Sequence, residues 1–255
     1  MGSDFFRREL EGHEKALGPK HPLTLAKLND LAVAVRDEDD RRLEAEPLFR
    51  RLLAGQEEAL GPKHPDTLLT IDNLMDIIID QHDQEGKLDE AEALCRRLVE
   101  AKEEALGPKH PDTLKEMDNL ASTLARLSMF GSPGARQGKR DEALALYRRL
   151  IETKQEVLGP KHENTLGAMN GLANFIRGNS ALYNEAEDQS EYIEAEELYR
   201  RALEGFEETN NEHMTREAMK NLATLLEIRG EAATAEELRA QVLARWGVEG
   251  EDFEE

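Results

Sequence analysis

Leu17-Gly18-Pro19-Lys20-His21-Pro22 is a phrase that returns as Leu60 to Pro65 and as Leu106 to Pro111, with a fourth copy, Leu158 to Glu163, ending Lys-His-Glu. A phrase recurring every few dozen residues marks a repeat protein, and it decides the fold before any catalytic motif is sought. Aligning the copies on the threonine that follows gives Thr24, Thr67, Thr113 and Thr165, with a degenerate fifth member at Thr215, at spacings of 43, 46, 52 and 50 residues. Four residues after each threonine stands Leu28, Ile71, Met117, Met169 or Met219, and seven after it Leu31, Leu74, Leu120, Leu172 or Leu222. Offsets 8 and 11, Ala32 and Val35 in the first copy and Ala223 and Leu226 in the fifth, complete one apolar stripe per segment. That is the pattern of an amphipathic helix. These segments are the A helices.

A B helix follows each one, beginning near a small anchor residue, Ala45, Ala91, Ala143, Ala195 or Ala235. Leu48, Phe49, Leu52 and Leu53 continue its stripe, and the later copies read Leu94, Cys95, Leu98, Val99, then Leu146, Tyr147, Leu150, Ile151, then Leu198, Tyr199, Ala202, Leu203. Cys95 stands where other copies have an aromatic ring, which makes it a core residue rather than a reactive thiol. The opening phrase is the joint between helices. Gly61 is expected to end helix B in the left-handed C-cap conformation, Pro62 to block its continuation, Pro65 to suit the next first turn, and Asp66 to sit as an anion near that helix's positive end.

From anchor alanine to the next threonine the distance is 22 residues three times and then 20, so the joint is nearly constant. The insertions fall in the A-to-B turns, where lengthening costs little. The third turn, residues 128–138, with Ser128-Met129-Phe130-Gly131-Ser132-Pro133-Gly134, and the fourth, 178–190, with Leu182 and Tyr183, are expected as mobile insertions, the fourth adding a helical turn; partner contact is the alternative for both. The implied organisation is a partial repeat at 1–20 holding only a B helix, repeats at 21–63, 64–109, 110–161, 162–211 and 212–248, and an acidic tail at 249–255. The fold class is all-α, an α-solenoid. Because Phe6, Arg7, Arg8 and Leu10 match Phe49, Arg50, Arg51 and Leu53, the chain is expected to start inside a B helix and to leave Phe5, Phe6 and Leu10 uncovered; Met1-Gly2-Ser3 resembles an expression scar.

With 54 acidic against 33 basic residues among 255, the formal net charge is -21. Such a chain repels phosphate backbones and anionic lipid, so neither nucleic acid nor membrane insertion is expected. The lone cysteine allows no internal disulfide and no cysteine-based zinc site, and points to a reducing, cytoplasmic setting.

Helix pairs with a minimal period near 43 residues, and the phrases Leu-Gly-Pro-x-His-Pro-Asp-Thr, Asn-Leu-Ala and Gly-Lys-x-x-Glu-Ala, resemble tetratricopeptide repeats of the kinesin light chain type. The resemblance is carried by Gly61 to Leu68, Asn73-Leu74, Gly86-Lys87 and Glu90-Ala91, by Gly107 to Leu114, Asn119-Leu120-Ala121, Gly138-Lys139 and Glu142-Ala143, and by Asn221-Leu222-Ala223, and it covers nearly the whole chain. It implies a right-handed superhelix of antiparallel helix pairs whose concave wall of A helices binds extended peptides, with Asn73, Asn119 and Asn221 touching the peptide backbone. Asp30 and Gly171 occupy the same offset in the first and fourth repeats. The coiled coil that joins kinesin light chains to their motor has no counterpart here, so the motor-adaptor role is not carried over.

Helical geometry points to the same face independently, because offsets 2, 6, 9 and 13 lie opposite the apolar stripe at 100° per residue. The candidate groove residues are Asn73, Asp76, Asn119, Ser122, Arg126, Asn174, Asn221 and Thr224, with Asp80, Lys115 and Glu217 on the same track. An amide both donates and accepts, so a ladder of asparagines suits an extended chain. His21, His64, His110 and His162 are copies of one joint position, while His82, among Asp80, Asp83 and Glu85, is at most a weak cation site. Arg50-Arg51, Arg96-Arg97, Arg148-Arg149 and Arg200-Arg201 repeat on helix B and are expected to pair with neighbouring glutamates. No phosphate loop and no nucleophile set escapes the repeat pattern. The expectation is a non-catalytic scaffold without cofactor, binding a protein or peptide with a basic segment. The alternative is a structural subunit that packs, or self-associates, through its convex face, long turns or ends.

Overall fold

The computed structural model describes residues 2–80, 86–183 and 189–247. His82, Asp83 and Glu85, the acidic tail and part of the fourth turn therefore lie outside the described residues, as does the side chain of Asp80. The chain divides into two compact units, Met1–Thr123 and Leu124–Glu255. Among the described residues all regular structure is helical, in tandem helix pairs, so the fold class is the all-α solenoid.

The first unit holds α1 (Ser3–Leu17), α2 (Pro22–Arg36), a 3-10 segment at Asp39–Glu44, α3 (Ala45–Ala59), α4 (Pro65–Asp80), α5 (Lys87–Leu106) and the part of α6 (Pro111–Phe130) up to Thr123. Helix α2 packs between α1 and α3, and α4 between α3 and α5. The A-helix stripes of α2 and α4 are buried at all four expected offsets, at Leu28, Leu31, Ala32 and Val35 and at Ile71, Leu74, Met75 and Ile78. Each large aliphatic group so buried contributes about 1.5–3 kcal/mol. Anchors Ala45 and Ala91 are fully buried, as are Phe49, Leu52, Cys95 and Leu98 on the B helices. A larger anchor side chain would push paired helices apart.

The second unit holds the end of α6, then α7 (Arg136–Val157), α8 (Glu163–Tyr183), α9 (Gln189–Glu208), α10 (Glu212–Ile228) and α11 (Ala232–Trp246). Each of α7 to α10 packs on the next. Met169, Leu172, Ala173 and Ile176 of α8 face inward, as do Met219, Leu222, Ala223 and Leu226 of α10. Tyr147 and Phe175 meet with ring centroids 5.8 Å apart.

The joints differ from expectation in their backbone and in the use of histidine. Gly18 and Gly107 have φ of 90° and 91° with ψ of 163° and 161°, so they occupy the extended positive-φ region rather than the left-handed helical one. That region is essentially closed to residues with a Cβ, which explains the glycine at these two joints more strictly than a left-handed cap does; Gly61 and Gly159 share the positive φ, at 95° and 98°. The carbonyl of Gly61 accepts the His64 amide at 3.3 Å and the Thr67 hydroxyl at 2.9 Å, and Gly107 and Gly159 repeat the arrangement with Thr113 and Thr165 at 2.9 Å. The imidazole Nδ1 of His21, His64, His110 and His162 accepts the backbone N–H two residues on, each at 3.2 Å. Histidine thus does the N-capping that serine or aspartate usually does, satisfying an amide with no helical partner. The fifth joint caps with Asn211, whose oxygen accepts the Met214 amide, and uses Asn210 at φ 54° in place of glycine.

Two other expectations are corrected. The third A-to-B turn is only residues 131–135, because α6 continues to Phe130 and α7 starts at Arg136. Leu127 and Ser128 are buried, and the Ser128 hydroxyl donates to the Ala125 carbonyl at 2.6 Å, so the apolar stripe carries the helix to Phe130 and the breakers Gly131, Pro133 and Gly134 fall in the turn. In the fourth turn α8 does gain its extra length, reaching Tyr183. At the start, Leu10 is buried (5% exposed) rather than uncovered, because α2 packs on α1; Phe5 is exposed and sits edge-on to the partly exposed Phe6.

The helix-B arginines pair with glutamates. Arg50 bonds Glu46 and reaches Glu90, Arg51 reaches Glu14, Arg97 reaches Glu57 and, in the second unit, Arg148 reaches Glu194 at 2.6 Å. A second set uses the joint lysines, Lys20 to Glu58 and Lys63 to Glu104 in the first unit and Lys161 to Glu208 in the second. These exposed pairs add little to stability, because water screens them.

Candidate functional site

The candidate residues divide between the two units. In the first, Asn73 and Asp76 lie on α4 and Asn119 and Ser122 on α6. Both asparagines are partly exposed at the same offset of their helices, and Asp76 and Ser122 are exposed one turn on. Both asparagines are also already engaged. The Asn73 side-chain oxygen accepts a hydrogen bond from the guanidinium of Arg36 on α2, which leaves the amide nitrogen as its outward donor. Asn119 donates its amide to Glu116 at 3.0 Å. Glu116 is fully buried, and its other oxygen takes the Lys102 ammonium at 2.5 Å, so a buried carboxylate is satisfied from two sides. Asp30, at the asparagine offset of α2, is bonded by Lys27 at 3.2 Å.

The electrostatics of this face are mixed. Lys115 stands 3.6 Å from Asp72. Asp76 is held above the usual carboxylate range, first by partial desolvation and then by Asp72, with Lys115, Arg42 and Arg36 opposing. The Cys95 thiol, beneath the face and fully buried, is pushed up to about 11 by burial and lies 3.0 Å from the Met75 sulfur. At that value the nucleophilic thiolate is scarce near neutrality.

In the second unit Arg126 lies near the end of α6, Asn174 on α8, and Asn221 and Thr224 on α10. Asn174 accepts the phenol of Tyr199 at 2.6 Å, and burial pushes that phenol up to about 12. The Thr224 hydroxyl donates back to the Lys220 carbonyl at 3.0 Å. Asn221 is partly exposed. Gly171 holds the asparagine offset on α8, where an added Cβ would meet only a Tyr147 ring carbon at 3.8 Å.

Sequence reasoning missed a cleft of about 290 Å³ in the first unit. It is walled by Pro22, Leu25, Ala26, Leu60 and Leu69, and also lined by Asn29, Asp30, Gln56 and Asp66. Leu69 is 56% exposed and Gln56 only 7%. The signal was present, since Ala26 and Leu69 are apolar at offset 2, where Lys115 and Glu217 are charged.

Among the described residues, no group of three or more His, Cys, Asp and Glu is arranged to hold a metal, and no helix is long and apolar enough to cross a membrane. The profile of the tetratricopeptide repeat family matches residues 24–66, 82–112 and 135–164. The chain carries tetratricopeptide repeats. Their matched stretches run through the joints and helix pairs described above. No curated protein sequence matches this one. Among solved structures, the repeats are similar to those of a putative kinesin light chain from Podosopora anserina with nearly identical TPR-like repeats, at 22% identity and a TM-score of 0.65, over 88% of this chain and 95% of that one. A point variant of that same protein gives 0.66 at the same identity and coverage. BtubC (BKLC) from P. vanneervenii is similar at 19% identity and a TM-score of 0.60, over 94% of this chain and 87% of that one. At these identities the likeness speaks for the fold.

Proposed function

We propose that this protein is a non-catalytic interaction scaffold that binds an extended peptide of a partner along the polar face of its A helices. The supporting observation is that Asn73 and Asn119 are partly exposed at the same helical offset on α4 and α6, with Asp76 and Ser122 exposed one turn further. Amides at a repeated offset supply donors and acceptors to the regularly spaced backbone groups of an extended chain. The network behind them adds to this reading. Arg36 and the Lys102–Glu116 pair hold the two amides in fixed orientations, which lowers the entropy lost when a ligand docks. The net charge of -21 favours a partner segment with basic character.

The test uses a partner captured by crosslinking from native extract and identified by mass spectrometry. The double substitution Asn73→Ala/Asn119→Ala is expected to weaken that partner more than tenfold, about 1.4 kcal/mol, with helicity unchanged. Unchanged affinity refutes the groove reading.

A second reading, assembly through the first helix, has its own observation. Phe5 and Leu17 on α1 are 47% and 43% exposed and border an open depression with Arg8, Glu9 and His13. Light scattering that shows a monomer over a wide concentration range removes self-association.

A further inference from the structure

We propose that the cleft between α2, α3 and α4 is a side-chain subsite that receives one aliphatic side chain of a bound peptide standing next to a lysine or arginine. The inference rests on the peptide-binding reading and deepens it by naming the ligand's chemistry.

The size argues for a side chain. About 290 Å³ lies just below the roughly 300–1,000 Å³ of small-molecule sites. The walls are apolar, and two of them, Leu60 and Leu69, are 38% and 56% exposed. Covering such surface is favourable at about 25 cal/mol per Å², so an aliphatic group gains from entering.

The polar groups select what accompanies it. Gln56 is 7% exposed and lines the cleft, and its oxygen accepts the Thr70 hydroxyl at 2.6 Å. That contact, made by a hydroxyl that also reaches the Asp66 carbonyl at 3.0 Å, holds the amide at the cleft, where it can pair with a peptide backbone. Asp30 and Asp66 also line the cleft. Asp30 shares the Lys27 ammonium, itself 3.3 Å from Glu9, while the His64 Nδ1 that stands 3.7 Å from the Asp66 carboxylate accepts the Asp66 amide and so offers that carboxylate no proton. A ligand cation would join these carboxylates in a chain whose overall charge already attracts it, whereas an acidic neighbour would be repelled.

The cleft belongs to the same helix faces as the asparagines. Ala26 and Leu69 stand at offset 2 of α2 and α4, one helical turn before Asp30 and Asn73 at offset 6. An extended ligand touching Asn73 therefore has the cleft within reach of its neighbouring residues.

The experiment selects phage-displayed random dodecapeptides on the full chain and measures the recovered peptides against three variants. Leu69→Ser removes an exposed wall without touching the core, Asp30→Asn/Asp66→Asn neutralises the rim, and Asn73→Ala/Asn119→Ala disables the amide track. The expected result is enrichment of an aliphatic residue beside Lys or Arg, with Leu69→Ser and the rim variant each weakening binding at least tenfold. Peptides weakened by the asparagine pair but indifferent to Leu69→Ser, and lacking the aliphatic-basic pair, overturn the subsite and leave the groove standing. Peptides indifferent to all three variants, or no enrichment, overturn both.

Discussion

Replacing Gly107 with alanine isolates the backbone cost of a joint. Gly107 sits at φ 91° and ψ 161°, and an alanine Cβ there would meet no atom within 4 Å. The whole effect is therefore conformational. Holding a residue with a Cβ in that region costs about 1–3 kcal/mol, and restriction of the unfolded chain returns roughly 0.4–1 kcal/mol. The net expectation is a loss of about 1–2 kcal/mol. The measurement is urea unfolding followed by far-ultraviolet circular dichroism. Because repeat arrays need not unfold in one step, the comparison is made on the midpoint of the first transition. Gly167→Ala serves as the control. It lies inside α8 with open space around its Cβ and an ordinary φ, and should gain about 0.5–1 kcal/mol. If Gly107→Ala proves as stable as the parent while Gly167→Ala behaves as stated, the account of the joint is wrong.

Other outcomes follow from named contacts. His64→Ala removes the acceptor for the Asp66 amide and should cost about 0.5–2 kcal/mol, whereas His64→Asp should retain most of the parent's unfolding midpoint because aspartate also caps. Gly205→Ala should destabilise by about 1–3 kcal/mol in the same assay, since its Cβ would stand 2.5 and 2.6 Å from the methyl carbons and 3.1 Å from Cγ of Leu166, which is 1% exposed and must repack within the core. Cys95 goes from an ordinary 9.0 to about 11 on folding, so the folded state favours the protonated thiol. Its contribution to stability is complete below pH 9 and is lost as pH rises towards 11, and unfolding midpoints across that range should fall more steeply for the parent than for Cys95→Ala.

The repeat was legible because its signals are local. A glycine that must adopt positive φ, a proline that stops a helix and an apolar stripe at offsets 4, 7, 8 and 11 each act within one turn, and the sequence repeats all of them. The path of α6 through Ser128 to Phe130 was not legible. There, burial of Leu127 and Ser128 carries the helix up to Phe130, one residue short of the breakers Gly131, Pro133 and Gly134, and burial is a property of the folded neighbours. The histidine caps were hidden for another reason, since histidine is not a usual capping residue and only the placement of Nδ1 reveals the role. For the candidate face, helical geometry picked out Asn73, Asn119 and Asn174. It gave no sign that Arg36, Glu116 and Tyr199 hold their amides, because those partners come from other helices or the buried side of the same one.

The joint lysines have a consequence beyond stability. Lys20 and Glu58, Lys63 and Glu104, and Lys161 and Glu208 are copies of one donor and one acceptor position, each donor meeting the acceptor of the repeat that follows it. Seams written in the same residues are interchangeable. A helix pair duplicated or transplanted within such a chain would carry both halves of its ionic link, so the array could lengthen by recombination without a new interface evolving at each step.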